Sequence, residues 1–188
     1  EGFLVDGAII ANVNHPRQLV VSGFSDAVAR VVENATAADV KAVPLSVSHG
    51  FHSPALHHLD SAPLLEGVTL SDPDVPVASC IADHPYADAA DARDVFLRHA
   101  TSPVEFVRAL HQCRDLGADL FLQVGAGGPL ASFTRGSLPR DHRGTLTLAG
   151  KKDRDGGVSI LEGLADLWVR GVDVDVRPIT ADAVLPSV

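Results

Sequence analysis

Apolar residues along this chain come in short runs, and their spacing changes character part-way. Residues 8–13 (AIIANV) and 18–22 (QLVVS) are β-branched runs, with Asn14, His15 and Pro16 as a turn-forming cluster between them. They predict a hairpin or two neighbouring strands. Residues 25–33 (SDAVARVVE) put Ala27, Val28, Val31 and Val32 on one helical face, with Ser25 or Asp26 as the N-cap. Residues 42–47 (AVPLSV) predict a third strand. The order strand, strand, helix, strand suits a small α+β unit with an antiparallel sheet.

After His52-Ser53-Pro54 the pattern shifts. A helix is predicted from Ser53 with Pro54 at its first position, where a missing N–H costs nothing, and Pro63 cuts it short. Residues 75–81 (VPVASCI) predict a buried strand, and 89–100 and 104–116 two helices, the second stopped by Gly117. Residues 119–124 (DLFLQV) predict another buried strand, followed by a Gly-rich turn and a helix from about Pro129. Residues 145–149 (TLTLA) predict a strand, and 158–170 a helix with Ile160, Leu161, Leu164, Leu167 and Trp168 inward. The strict alternation of 172–176 (VDVDV) predicts a late or edge strand. Strands alternating with helices mark a parallel, helix-covered sheet. The expected class is therefore α/β, with a small α+β unit attached.

Composition narrows the function classes. The chain has 188 residues, 46% of them apolar, enough for a core, and no apolar run long enough to span a membrane. A net charge of −9 argues against nucleic acid, which needs a basic face. There is no methionine, and Glu1 opens into an apolar run with no signal-peptide layout, so the sequence reads as a piece of a longer chain. Arg outnumbers Lys twelve to three, and Ala and Val abound, as in a GC-rich bacterial genome. Cys80 and Cys113 lie far apart with no CxxC, so they are expected as buried free thiols in a reducing, cytoplasmic setting.

Histidines carry the candidate chemistry. His49, His52, His57 and His58 fall within ten residues. A zinc site through His49-x-x-His52 is one reading, but no carboxylate or cysteine set stands at zinc-ligand spacing, and no metal is expected. Adjacent His57 and His58 do not face one point on a helix and read as exposed. His52 sits between a predicted strand and a helix, where ligand chemistry collects in α/β folds, and its side chain suits proton shuttling. A nucleophile is harder to find. No G-x-S-x-G occurs; Gly23-Phe24-Ser25-Asp26-Ala27 comes close, yet reads first as a helix N-cap. The turn Gly125-Ala126-Gly127-Gly128-Pro129 lacks P-loop and dinucleotide signatures and reads as structural.

Longer segments carry a resemblance. Asn12-Val-Asn-His-Pro-Arg-Gln-Leu-Val-Val-Ser-Gly23 resembles the N-x-N-x-P-x-x-x-V-x-S-G segment of malonyl-CoA:acyl carrier protein transacylases and of the acyltransferase domains of polyketide and fatty acid synthases. Pro44-Leu-Ser-Val-Ser-His-Gly-Phe-His-Ser-Pro54 resembles that family's L-x-V-S-H-A-F-H-S-P signature. Ser102-Pro-Val-Glu-Phe106, Asp119-Leu-Phe-Leu-Gln-Val-Gly125 with Pro129-Leu130, and Leu167-Trp-Val-Arg-Gly-Val-Asp-Val-Asp175 are similar to later family segments, in family order.

The resemblance implies ping-pong nucleophilic catalysis. A Ser takes malonyl from malonyl-CoA, and the group then passes to the phosphopantetheine thiol of an acyl carrier protein. His52 matches the general base. His99, four residues before the Pro of P-V-x-F, matches the position whose backbone carbonyl orients that base; the family usually has Gln or Asn there. Phe51, preceding the base, matches the malonyl-selective choice, within the tripeptide His49-Gly50-Phe51. Gly50 stands where Ala is usual, and Asn14 is a pocket candidate as well as a turn residue. No bound cofactor is implied, since the CoA thioester is a substrate and phosphopantetheine belongs to the partner. The nucleophile motif GHSxGE is absent, as is the Arg that pairs with the malonyl carboxylate.

The chain thus looks like the C-terminal half of a polyketide synthase acyltransferase domain, expected to be inactive alone. Residues 1–52 would belong to a ferredoxin-like small subdomain, 53–171 to an α/β hydrolase-like large subdomain, and 172–188 to a following linker. Expected partners are malonyl-CoA, the carrier protein, the N-terminal half of the domain and neighbouring synthase domains. A second reading is a non-catalytic module derived from an acyltransferase that binds a carrier protein or adjacent domains.

Overall fold

A computed structural model of the chain describes residues 2–126, 128–149, 156–175 and 177. It contains two compact units, 1–118 with 136–138, and 119–135 with 139–188.

The first unit opens on the predicted hairpin. β1 (Ala8–His15) and β2 (Gln18–Gly23) are antiparallel, with His15 opposite Gln18 across the Pro16-Arg17 turn. The register slips between Ile10 and Asn12 and again between Val13 and His15, so Ala11 and Asn14 are bulged. α1 (Ser25–Ala37) buries Ala27, Val31 and Ala35, a strict i, i+4, i+8 stripe. Ala27 and Val31 meet Ala8 in a small core flanked by Phe3, Leu4, Val5 and Val21. The expected Ser25 or Asp26 cap is not found: Phe24 is the N-cap, with no side-chain cap bond, and Ser25 is already helical. The joint is set by Gly23, at φ +154, where a Cβ would fall 2.0 Å from the Gly7 carbonyl oxygen. Only glycine fits there.

The predicted strand at 42–47 is not formed. The segment is extended and on no ladder, and its local bond is Val47 N–H to Leu45 O at 3.0 Å. Val43, Leu45 and Val47 are 63%, 62% and 61% exposed. The apolar alternation is real, but a strand needs a neighbouring backbone, and Pro44 cannot donate to one. The helix expected from Ser53 shrinks to a 3₁₀ turn, Pro54–Leu56, and Pro63 falls in another, Ala62–Leu65.

The strand predicted at 75–81 is also absent. Val75 and Val77 are exposed, while Ser79 and Ile81 are buried. The Ser79 hydroxyl accepts from the N–H groups of Ile81 (3.1 Å) and Ala82 (2.9 Å), turning the chain where a strand would continue. α2 (Ala89–Arg98) is capped by Asp88, whose carboxylate accepts from Asp91 N–H at 2.8 Å. α3 (Phe106–Asp115) follows, and Gly117 ends it at φ +92. Val95, fully buried, packs with Ile81, Ala82, Tyr86 and Val104. The α2–α3 connection is laced to β1: Val104 N–H donates to Ala11 O and Val13 N–H to Val104 O, each at 2.8 Å. Cys80 and Cys113 are half-buried free thiols.

The second unit carries the parallel pairing. β3 (Leu120–Ala126) lies parallel to β4 (Gly144–Ala149), with Leu120 beside Gly144. α4 (Leu130–Ser137) follows β3, and the Gln123 side-chain oxygen accepts from Ala131 N–H at 2.7 Å in its first turn. Of the Gly-rich turn, Gly127 lies outside the described residues. α5 (Gly156–Val169) packs on β4 by a face only partly the one expected: Leu167 is buried and Leu164 half-buried as expected, but Ile160, Leu161 and Trp168 are not. Ser159 and Leu167 are buried, and Gly163 approaches so closely that a Cβ would sit 3.0 Å from Leu148 Cα. Ile160, Leu161 and Trp168 face outward. The small Ser159–Gly163 ridge lets the helix backbone, instead of its bulky side chains, meet the strand. The late strand is not formed at 172–175, and Val176 lies outside the described residues. No described helix is long and apolar enough to cross a membrane.

Candidate active site

The site is built on the loop 48–53 and the end of α2. Ser53, 1% exposed, pins the loop. Its hydroxyl donates to the Gly50 carbonyl at 2.7 Å and accepts from Ala55 N–H at 3.3 Å. Gly50 lies against the end of β2, where a Cβ would meet the Gly23 carbonyl oxygen at 3.1 Å. The absent side chain therefore lets the loop settle closely, opposite to the looseness a glycine suggests.

His52 is half-buried and adopts φ +56, a left-handed conformation rare for a residue with a Cβ. Its backbone N–H donates to Ala100 O at 2.9 Å. Its Nδ1 lies 3.1 Å from the His99 carbonyl oxygen. A carbonyl only accepts, so Nδ1 carries the hydrogen and Nε2 of the neutral ring holds a free lone pair. The structure thus brings His52 and His99 together through the main chain. The side chains meet as well: the rings stand edge-on, centroids 5.3 Å apart at 69°. Partial burial, and secondarily the nearby His52, hold the His99 imidazole below its ordinary value of 6.5.

Phe51 is 49% exposed and rests beside the His49 ring, centroids 5.8 Å apart. His49 Nδ1 in turn hydrogen-bonds the Ser48 hydroxyl at 2.7 Å. Asn14 occupies the second bulge of β1 and shares no hydrogen bond or ring contact with these residues among those described. His57 and His58 face each other, 5.9 Å between centroids, and His57 Nδ1 donates to Pro54 O at 2.9 Å. Among the described residues no group of three or more His, Cys, Asp or Glu is placed to hold a metal ion. Ser25 is exposed at the start of α1.

Three features were not visible in the sequence pattern: the Ser53 bridge within the loop, the Ala100 carbonyl that holds the His52 backbone, and the His99 ring. The first is local to the loop; the other two depend on how the loop meets the end of α2, far along the sequence. A separate histidine, His84, lies between Asp83 (2.9 Å) and Asp91 (3.3 Å). Hydrogen bonds to those carboxylates raise its pKa, but it belongs to the approach to α2 and not to this loop.

No protein-family model matches the chain. Known proteins do. It is 31% identical over 176 residues to the mycoketide-CoA synthase of Mycobacterium tuberculosis, covering 93% of this chain and 4% of that protein. It is 32% identical over 140 residues to the malonyl CoA-acyl carrier protein transacylase of Bacillus subtilis, covering 72% of this chain and 43% of that one. The fold matches the crystal structure of the acyltransferase domain from the second module of the salinomycin polyketide synthase. There the TM-score is 0.78, with 29% identity, 95% of this chain and 44% of that chain. The chain is a relative of the polyketide synthase acyltransferases and malonyl-CoA:acyl carrier protein transacylases. It spans less than half the length of each of these proteins. Its partial α/β fold is theirs.

Proposed function

We propose that this chain supplies the general base and the specificity loop of a polyketide synthase acyltransferase site, as the C-terminal half of that domain. The observation that carries the reading is the His52 imidazole held Nδ1-to-carbonyl on His99, in a chain related to acyltransferases. The reaction moves malonyl from malonyl-CoA to the phosphopantetheine thiol of an acyl carrier protein, through an acyl-Ser whose Ser lies outside this chain. His52 Nε2 takes the Ser proton as the hydroxyl attacks the thioester. It returns that proton to the departing CoA thiolate. In the second half it takes the proton of the carrier thiol, which attacks the acyl-Ser, and gives it back to Ser. The His99 carbonyl facing Nδ1–H favours the imidazolium that forms in each half. Neither half needs a metal or resident cofactor; the CoA thioester is the substrate.

Phe51 is proposed to crowd a C2 methyl group and so favour malonyl, with His49 and Gly50 shaping the same loop and Asn14 as a pocket residue. Residues 1–52 are assigned to the ferredoxin-like small subdomain, 53–171 to the α/β hydrolase-like large one and 172–188 to the linker beyond. The exposed alternation Val43, Leu45, Val47 supports a further partner, the N-terminal half that carries the nucleophile. Alone, the chain is expected to be inactive. The setting is the cytoplasm, where CoA thioesters and carrier proteins are found.

The test pairs the chain with an N-terminal half and follows malonyl transfer to carrier protein. His52→Ala is expected to lower transfer by about 10²–10⁴-fold. Near-normal transfer would remove His52 as the base, and carrier binding without any transfer in the native pair would favour a non-catalytic module. Phe51→Ser is expected to shift the malonyl to methylmalonyl ratio by roughly 1–3 kcal/mol, the worth of one methyl in an apolar pocket. An unchanged ratio would end the specificity argument.

A further inference from the structure

A single hydrogen bond does not fix a ring. The bond from His52 Nδ1–H to the His99 carbonyl, 3.1 Å long, leaves the imidazole free to swing about the N–H···O axis. The backbone beneath it is in the left-handed region at φ +56, so contacts outside the loop must hold it. Those contacts come from the end of α2. The Ala100 carbonyl takes the His52 N–H, the His99 carbonyl takes Nδ1–H, and the His99 ring stands edge-on against the His52 ring at 5.3 Å. Edge-to-face packing sets a positive ring edge against a negative face and resists rotation.

We propose that the His99 side chain, beyond its carbonyl, is a positioning residue for His52: its neutral imidazole, packed edge-on, holds the His52 ring in the plane where Nδ1–H meets the carbonyl. The inference rests on reading His52 as the base. It assigns a task to the side chain at a position where the main chain alone had one.

The packing suits an uncharged His99, because its ring is partly desolvated and a charge there would oppose the imidazolium that His52 becomes in the reaction. Partial burial, and then His52, keep the His99 pKa low. Among the described residues His52 is the titratable group that acts on it. Its chain neighbour Arg98 is engaged with Asp94 at 3.2 Å, and no carboxylate pairs with His99. The sign follows from the depressed value. The unfolded chain binds the proton more readily, so the contribution is complete above pH 6.5. It is lost as pH falls through the lower folded value.

The test is side-chain NMR of the full chain with ¹⁵N- and ¹³C-labelled histidine. Three forms are compared at pH 7.5: the native chain, His99→Phe and His99→Gln. All keep the carbonyl; Phe keeps a flat ring that cannot charge, and Gln has no ring. A single Nδ1–H tautomer at His52 is expected in the native chain and in His99→Phe, and averaged tautomers in His99→Gln, with the backbone amide pattern elsewhere unchanged. In addition, His52→Ala should move the His99 titration midpoint upward. The proposal is overturned if His99→Gln keeps the native His52 signature, if His99→Phe behaves like His99→Gln, or if the His99 midpoint ignores the loss of His52. None of these readings needs acyl transfer. Failure of the base assignment would instead show as transfer surviving in His52→Ala, so the two failures are distinguishable.

Discussion

Two adjoining stretches, 40–47 and 48–53, meet within the segment most like the family signature, yet they end in opposite states. The loop 48–53 is held from within the chain. Ser53 closes it on Gly50, β2 supports it from below, and the end of α2 receives His52. The stretch before it is extended and apolar, and Val43, Leu45 and Val47 remain in water. The difference lies in what each needs. A loop closed by side-chain hydrogen bonds is complete when its own residues are present. A strand is complete only when another backbone pairs with it. In this chain the His52–His99 geometry is held from within, while residues 42–47 pair with no strand among the described residues.

The most severe way to break the comparison is to disturb the ground the loop stands on. Gly23→Ala places a Cβ 2.0 Å from the Gly7 oxygen and 2.9 Å from Ala8 Cα, both backbone atoms that cannot swing aside. A loss of roughly 3–5 kcal/mol is expected in denaturant unfolding, at the upper end of single substitutions. The hairpin and the loop should be affected together. An unfolding midpoint like that of the native chain would show that β2 does not meet Gly7 in this way.

A gentler cut separates the loop from the strip. Ser53→Ala removes the bond to Gly50 and the one from Ala55 N–H, leaving a half-buried carbonyl without its partner. The cost is expected near 1–2 kcal/mol. Amide exchange should quicken across 49–55 and stay unchanged across 40–47. Equal quickening in both stretches would mean that they are one cooperative piece, and the contrast would fall.

The same distinction explains what could be read from sequence. The hairpin, α1 to α5 and the β3–β4 pair were legible, because turn residues, helical periodicity and strand alternation are local signals. Residues 42–47 and 75–81 were misread for different reasons. In the first the alternation is present but the pairing backbone is not. In the second the Ser79 hydroxyl captures two amides that a ladder would need. The inward face of α5 differs from the expected one at Ile160, Leu161 and Trp168, because Gly163 allows a closer approach than a bulky side chain would, while Leu167 is buried as expected. At the site, the motif pointed to His52, Phe51 and the carbonyl of His99. It carried no trace of the positive φ at His52 or of the ring contact, which arise only when the loop folds onto α2.

The smallest effect is the sharpest discriminator. Leu45→Ser changes a side chain that is 62% exposed on the unpaired strip, so within this chain its stability effect should stay within about ±0.5 kcal/mol. The unfolding midpoint and the amide pattern of 48–53 should both be those of the native chain. If the strip is a strand in waiting, the same substitution weakens association with an N-terminal half, by up to about 1.5–3 kcal/mol if the Leu45 side chain becomes fully buried. The two measurements must disagree for the comparison to stand. A cost above about 1 kcal/mol in the isolated chain would mean that Leu45 is already packed, since exposed sites away from caps and hydrogen bonds rarely exceed half of that. No effect in either setting would mean that residues 42–47 pair with nothing, and the apolar alternation would be left without a purpose in the assembled domain.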